Sequence, residues 1–462
     1  MTMDPHHPSL INDCLIQIFT FLSEDDLISV STVCKDWYEA AETPWLWRRK
    51  CLQRWSFCNL AVLGSEHVNH SWKRYFLRRS HLEMKMTKGQ SGGYTCYSLR
   101  GHTGRVVGLV YLQGNSSQNP DLWNSCPTVC SASTDGTVRA WNIQNGTLLW
   151  CSPTQSPLTE IVCDELHEVV ITADSTGVIK TWQSQTGQEE ASFSTASPHC
   201  TLLQYNINND WFLTVGTSQG SVCTLADSTL TKKSSIMVCD TFKVNILLVS
   251  PDKKWIVAGT KDNSDLSPKV KILCVSLYQS LGARPLSSYP PSLPDWPSST
   301  TASTQTTKPS LSLMSALKKL STSQRYRQVE SFPLTLNTWS PNILLEARDS
   351  NCLVLAADKE LWVYSLKGAL LASFKEHTMP ISSICLDSFR VVTASQDLSL
   401  RVMIWKNDGD HGLTLESRYH LLGGSHTMSR GFTHVACNYS SIVASTEGKD
   451  GKDVLKAYSF TS

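Results

Sequence analysis

The spacing of apolar residues changes once along this chain, near residue 94. Before that point it follows a helix. Ile11, Leu15, Ile18, Phe19 and Leu22 stand at i, i+4, i+7, i+8 and i+11, which places them on one helical face. Ser23-Glu24-Asp25-Asp26 pairs a capping serine with an acid three residues on, predicting the start of a second helix. That helix would carry Leu27, Val30, Val33, Cys34, Trp37, Tyr38 and Ala41. Thr43-Pro44 joins a cap to a first-turn proline and opens a third, with Trp45, Leu46, Trp47 and Cys51. A basic and aromatic stretch, Ser71 to Met86, predicts one more. Three short helices bury little area, so part of their apolar surface is expected to await a partner.

From about residue 94 the period becomes two. Short β-rich runs such as Val106–Leu112, Thr128–Ala132, Thr137–Ile143 and Val178–Trp182 alternate with Gly, Asn, Asp and Ser. The clearest unit is Leu99-Arg100-Gly101-His102 followed by Ser131-Ala132-Ser133-Thr134-Asp135-Gly136 and Trp141. Similar units end near Trp141, Trp182, Leu225, Cys274, Tyr364, Met403 and Tyr458, the first three spaced by 41 and 43 residues. That spacing fits four strands with their turns. Between Cys274 and Tyr364 the interval doubles, and Ala283 to Gln328 is dense in Ser, Thr and Pro. Such a composition buries too little surface to offset chain entropy and predicts a disordered insertion at 283–328. Without it seven units remain. Seven blades is the expected count, with six or eight as alternatives.

These residues resemble a known family. Leu10-Ile11-Asn12-Asp13-Cys14-Leu15 through Leu22 is similar to the first helix of an F-box, and Val33-Cys34-Lys35-Asp36-Trp37 and Leu46-Trp47-Arg48 match its later landmarks. With the repeats that follow, the chain resembles F-box/WD-repeat proteins. The resemblance implies an α plus all-β multidomain chain. A three-helix F-box at 1–47 and a helical linker at 48–93 would precede a WD-repeat β-propeller at 94–462. It implies a non-catalytic substrate receptor of a Skp–cullin–F-box ubiquitin ligase. The Skp adaptor, and through it cullin, would dock on Leu10, Ile11, Leu15, Ile18, Leu22, Val33, Cys34 and Trp37. An unidentified target protein would bind the propeller. One departure is Leu10-Ile11, where the family usually has Leu-Pro, so the fixed proline dihedral at the helix entrance is missing. A propeller scaffold whose weakened F-box recruits no ligase is the alternative. WD repeats typically link His, Ser or Thr, Asp and Trp by buried hydrogen bonds. Here His102, Ser131 or Ser133, Asp135 and Trp141 supply a set, so His102 and Asp135 are expected to be structural. The second repeat has Thr176 at the Asp register, and Asp397 of the sixth is followed six residues on by Met403, so only the first is expected to be complete.

Charge and composition narrow this picture. The formal net charge of +1 argues against bulk attraction to nucleic acid or membrane, and no run approaches a membrane span. The segment 48–88 is basic, read either as a solvated helix face or as a partner surface. Its aromatics Trp72, Tyr75 and Phe76 have helical spacing and are expected to pack on the propeller rather than bind RNA. Met1 to Ser9 lacks the basic start and apolar run of a secretory signal, so the sixteen cysteines are read as reduced core residues of a cytoplasmic or nuclear protein. No phosphate loop, His-Glu-x-x-His or Gly-x-Ser-x-Gly is present, and Cys126 and Cys130 lack a second pair at zinc spacing. No cofactor, metal or catalytic residue is expected. Arg105, Arg139 and Lys180 are candidate cations for an acidic or phosphorylated target segment.

Overall fold

The fold is that of a computed structural model. It describes residues 12–54, 72–89, 93–112, 127–164, 168–207, 210–226, 229–237, 243–249, 255–261, 270–276, 343–348, 352–365, 369–387, 389–408, 412–423, 429–438 and 440–460. Leu10, Ile11, Cys126 and the Ser/Thr/Pro stretch at 283–328 lie outside them. The chain divides into two compact units, a helical one up to Tyr94 and a β unit from Thr95 to Ser459.

The helical unit contains α1 (Asn12–Phe19), α2 (Glu24–Val30), α3 (Lys35–Ala41), α4 (Pro44–Arg54) and α5 (Trp72–Lys88). Ser23 caps α2 as its spacing predicts, accepting the Asp26 N–H at 3.1 Å, and its hydroxyl donates to the Asp26 carboxylate at 2.7 Å. The single second helix expected over Leu27–Ala41 is in fact two. Ser31 and Thr32 turn their hydroxyls back onto the carbonyls of Ile28 and Ser29, at 2.6 and 2.8 Å, and the chain leaves the helix there. Cys34 is extended, with φ −157° and ψ 173°, and α3 begins after it. One core joins all five segments: Leu15, Phe19, Leu27, Leu46 and Trp47 bury with Trp72 and Phe76 of α5. Trp72 and Phe76 therefore pack on the F-box-like helices, not on the propeller as expected, and the Trp47–Phe76 ring centroids lie 5.5 Å apart.

Among the described residues the strands of the β unit form seven antiparallel sheets. Strand β1 (Thr95–Leu99) comes first in the chain but belongs to the last sheet. The first sheet is β2 (Val106–Leu112), β3 (Thr128–Ser133), β4 (Val138–Asn142) and β5 (Leu148–Cys151). The second is β6 (Leu158–Asp164), β7 (Val169–Asp174), β8 (Val178–Gln183) and β9 (Glu189–Ser194). The third is β10 (Thr201–Ile207), β11 (Asp210–Gly216), β12 (Ser221–Ala226) and β13 (Thr231–Met237). The fourth shows β14 (Val244–Val249), β15 (Trp255–Lys261) and β16 (Val270–Ser276). The fifth is β17 (Ile343–Arg348), β18 (Cys352–Ala357), β19 (Glu360–Ser365) and β20 (Leu370–Phe374). The sixth is β21 (Ile381–Leu386), β22 (Arg390–Ser395), β23 (Ser399–Asp408) and β24 (Gly412–Leu422). The last holds β25 (Ser429–Asn438), β26 (Ser441–Gly448), β27 (Val454–Ser459) and, at its edge, β1.

The first strands of successive sheets touch, β2 to β6, β6 to β10, β10 to β14, β17 to β21, β21 to β25 and β25 back to β2. This is the arrangement of a β-propeller. The core lies between neighbouring sheets. Leu112, Cys130, Val138 and Trp150 of the first sheet bury against Leu158, Ile161, Val170 and Trp182 of the second. Second strands are covered on both faces, and all six residues of β7 are buried. Outer strands alternate, as in β9.

Two sheets carry the same polar hub. In the first, His102 Nδ1 lies 3.0 Å from Asp135 Oδ2 and its Nε2 lies 2.8 Å from Ser131 Oγ. Asp135 also accepts the N–H groups of Thr103 and Thr137, at 2.8 and 2.9 Å. Trp141 Nε1 donates to Ser131 Oγ at 2.9 Å. In the sixth, His377 stands 2.9 Å from Asp397 and 2.7 Å from Thr393 Oγ1, and Asp397 accepts the N–H groups of Thr378 and Ser399. As expected, only the first of the two is complete, but the sixth lacks nothing except the indole. Met403 pairs with Val391 where Trp141 pairs with Val129. The cue was hidden because Glu376 stands before the histidine where Gly101 does, and Leu398 follows the aspartate where Gly136 does. Leu398 holds the left-handed φ of +62° that Gly136 adopts at +78°, at a cost of about 1 kcal/mol. Its own burial offsets that cost.

Burial alone would raise the Asp397 carboxyl, but hydrogen bonds from His377, Ser399 and the Thr378 N–H outweigh it and hold the group well below the usual carboxylate range. A depressed value stabilises the fold above the unfolded pKa, about 3.9, and that contribution disappears as pH falls further. Asp397→Ala should therefore cost about 1–3 kcal/mol for each buried group left unpaired. Urea denaturation at pH 7 reads this cost, and the gap to the native chain should narrow below about pH 4. An unchanged midpoint at pH 7 would contradict the hub's role.

Glu160 of β6 shows the opposite sign. It accepts the Leu202 N–H of β10 at 3.0 Å, and burial pushes its carboxyl up to about 8. The folded chain holds this proton more tightly than the unfolded one. The penalty is absent below about pH 4.3 and grows until pH passes about 8. Glu160→Gln should melt with the native chain near pH 4 and above it at pH 8.5, as thermal denaturation across that range will read.

Candidate functional site

The helical unit satisfies its own core and still shows apolar side chains to solvent. Leu15 is only 2% exposed and lies inside the cluster with Phe19, so it holds the helices together rather than facing outward. Leu22 and Trp37 are half-buried against the same cluster, and the Trp37 ring meets Phe19 edge-on at 5.6 Å. Ile18 is 50% exposed, Val33 61%, and Cys34 is also exposed. Phe21, at 86%, is the most exposed large apolar residue described, and Ile28, Tyr38 and Trp45 join it on the surface. Sequence reading did not single these four out for docking. Phe21 lies one residue off the apolar stripe of α1, and the signal for it was the position itself: a large aromatic outside the stripe has no place in the unit's core. Tyr38 and Trp45 line one cleft of about 710 Å³ together with Pro44 and Trp72.

The basic segment is tied largely to its own unit. Arg79, buried, lies 3.7 Å from Glu83 and donates to the Tyr75 hydroxyl at 2.8 Å. Arg54 lies 3.4 Å from the same Glu83, and its guanidinium sits over the Phe76 ring. Lys73 pairs with Glu42, Lys50 donates to the Leu22 carbonyl, and Arg49 covers Trp45. These contacts staple α5 and α4 to the first helices.

In the β unit the three candidate cations are each engaged. Arg105, just before β2, pairs with Glu447 of β26 at 2.9 Å and so links the first sheet to the last. Arg139 of β4 donates to Thr137 Oγ1 at 3.3 Å and lies against Gly101, where an added Cβ would come within 2.4 Å of its guanidinium. Lys180 of β8 pairs with Glu189 at 2.7 Å and sits over the Trp182 ring. No hydrogen bond or ion pair joins any two of them. Arg401, two residues before Met403 as Arg139 is before Trp141, donates to the Glu376 carbonyl at 3.0 Å. In the first and sixth sheets the cation at this strand position thus lies against the turn that carries the histidine, whereas Lys180 of the second pairs with Glu189. His102, Asp135 and Trp141 are buried or nearly so within their hub. Among the described residues no three His, Cys, Asp or Glu side chains gather as a metal site.

Comparison with known proteins places these features. The family model described as F-box-like matches residues 12–53, and that of the WD domain, G-beta repeat, matches residues 93–142. Human F-box/WD repeat-containing protein 12 is 28% identical over 97% of this chain and 98% of its own length. Mouse F-box/WD repeat-containing protein 15 is 21% identical over 88% of this chain and 89% of its own. Among solved structures, the WD40 β-propeller domain of Doa1 covers 79% of this chain and 96% of that one, with 12% identity and a TM-score of 0.48. The F-box-like match falls on α1 to α4 and the WD match on β1 to β4, which frame the first hub, so that along nearly its whole length the chain resembles the F-box/WD repeat-containing proteins.

Proposed function

We propose that this protein is a non-catalytic substrate receptor of a Skp–cullin–F-box ubiquitin ligase. The observation that carries the reading is a helical unit with a complete core that nonetheless leaves Ile18, Phe21 and Val33 exposed. Solvated apolar side chains of this size on an F-box-like segment fit burial against the Skp adaptor, through which cullin is recruited. Leu10, Ile11, Ile18, Val33 and Cys34 would contact the adaptor. Leu15, Leu22 and Trp37 would set the helices that present them. In this reading the seven sheets are the blades of one ring, which would close between β14 and β17 and hold the target protein. Arg105 is the candidate cation nearest a sheet junction, and Arg139 and Lys180 lie on third strands. An acidic target segment would compete with Glu447 and Glu189 for two of them. Bond making belongs to the ubiquitin-conjugating enzyme brought by the ligase. The receptor contributes proximity, raising the effective concentration of target lysines. The missing proline after Leu10 favours one second reading, a propeller scaffold without ligase recruitment.

Ile18→Asp combined with Val33→Asp tests the first reading without touching the buried core. The double variant should keep the native melting profile and lose at least about tenfold in recovery of adaptor and cullin on affinity purification, since each desolvated charge costs more than 1.4 kcal/mol. Undiminished cullin recovery would sink the ligase reading. Stable protein partners recovered without cullin by the native chain would favour the scaffold.

A further inference from the structure

The seam between the sixth and last sheets holds two thiols in contact. Cys385 of β21 and Cys437 of β25 have their sulfur atoms 3.0 Å apart, and both residues are half-buried. They are 52 residues apart in sequence, on the first strands of neighbouring sheets. Their positions are pinned from both sides. Ser382 Oγ donates to the Phe432 carbonyl at 2.7 Å, Ser383 Oγ accepts the Val435 N–H at 3.3 Å, and Cys385 Sγ accepts the Cys437 N–H at 3.2 Å. Below the thiols, fully buried Arg390 pairs with Asp387 at 3.2 Å and donates to the carbonyls of Asn438 and Ser441.

We infer that Cys385 and Cys437 form a dithiol site that a hydroperoxide closes into a disulfide between the two sheets. Bonding distance is about 2.0 Å, so the sulfurs need approach by only about 1 Å. The two thiols differ in role. The Cys437 N–H is aimed at Cys385 Sγ, where a thiolate charge would rest. Its own thiol is held well above the usual range by its hydrogen bond with Cys385 and by burial, with the Asp387 carboxylate 3.7 Å away. Cys385 is therefore the attacking sulfur and Cys437 the resolving one. The Cys385 thiolate attacks one peroxide oxygen, the O–O bond breaks, and the departing oxygen takes a proton and leaves as water or alcohol. A sulfenic acid remains on Cys385. Cys437 sulfur then attacks the sulfenic sulfur, its proton leaves with the hydroxyl as water, and the S–S bond forms. Two thiols give up two electrons and two protons, and the hydroperoxide takes up both. The product ties β21 to β25.

Trypsin separates the two cysteines cleanly. Residues 376–390 and 431–449 are tryptic peptides with one cysteine each. The reduced full chain, treated with limiting hydrogen peroxide and then alkylated, should yield these two peptides linked, lighter by two hydrogens, and separable by dithiothreitol. Cys437→Ser should leave Cys385 as a sulfenic acid trapped by dimedone. If that variant does not fold, the map of the native chain decides alone. Two fully alkylated peptides, at a peroxide dose that oxidises exposed Cys34, would overturn the inference. So would a link from Cys385 to any other cysteine.

Discussion

Stacking sheets face to face buries the turn between their second and third strands, and such a turn brings backbone N–H groups that water no longer reaches. Asp135 and Asp397 meet this constraint by the same geometry: each carboxylate takes two backbone N–H groups and a histidine, and the histidine reaches a hydroxyl on the second strand. In the first and sixth sheets the hydrophobic core packs around connections fixed in this way. The three groups held at one carboxylate also tie the loop before the first strand to the turn between the second and third.

The other sheets meet the constraint with less. In the second, Asp174 takes the N–H groups of Thr176 and Val178, both at 2.9 Å, and Trp182 Nε1 still donates to Thr172 at 2.9 Å. In the third, Tyr205, Thr214 and Thr224 pass hydroxyl contacts along at 3.2 and 3.3 Å. These shorter sets keep a polar link inside the second and third sheets although their sequences have diverged from the full hub. The helical unit obeys a different economy. Its core cluster is aromatic and aliphatic, and of its ion pairs Arg79–Glu83 is buried beside that cluster while Lys73–Glu42 is partly exposed.

How much of this was readable in the chain depended on whether one residue type carried the physics. Ser23 and Pro44 announced helices because capping and fixed φ are local properties. The first hub was legible because His102, Asp135, Gly136 and Trp141 each have a distinctive role at a distinctive spacing. The sixth hid the same bonds behind Leu398, whose left-handed backbone is held by burial that no local pattern displays. The break at Ser31–Cys34 was missed because the apolar period runs through it unbroken, whereas the hydroxyl-to-carbonyl bonds that end α2 compete with the helix only once it has formed. The exposed face of α1 was half legible. Periodicity found Leu15 and Ile18 together, but only packing shows that one turns in and the other out.

The pairing of β1 with β27 sets Thr95 opposite Ser459 and Leu99 opposite Leu455. The last sheet thus needs strands made about 360 residues apart, a separation at which loop closure is slow. During synthesis the helices of residues 12–88 emerge with a core of their own, long before the final strands exist. For most of translation the chain would present its F-box-like helices while the edge of β1 has no neighbour. Its helical unit is ready before its β unit, and the interval between them is a property of the strand order alone.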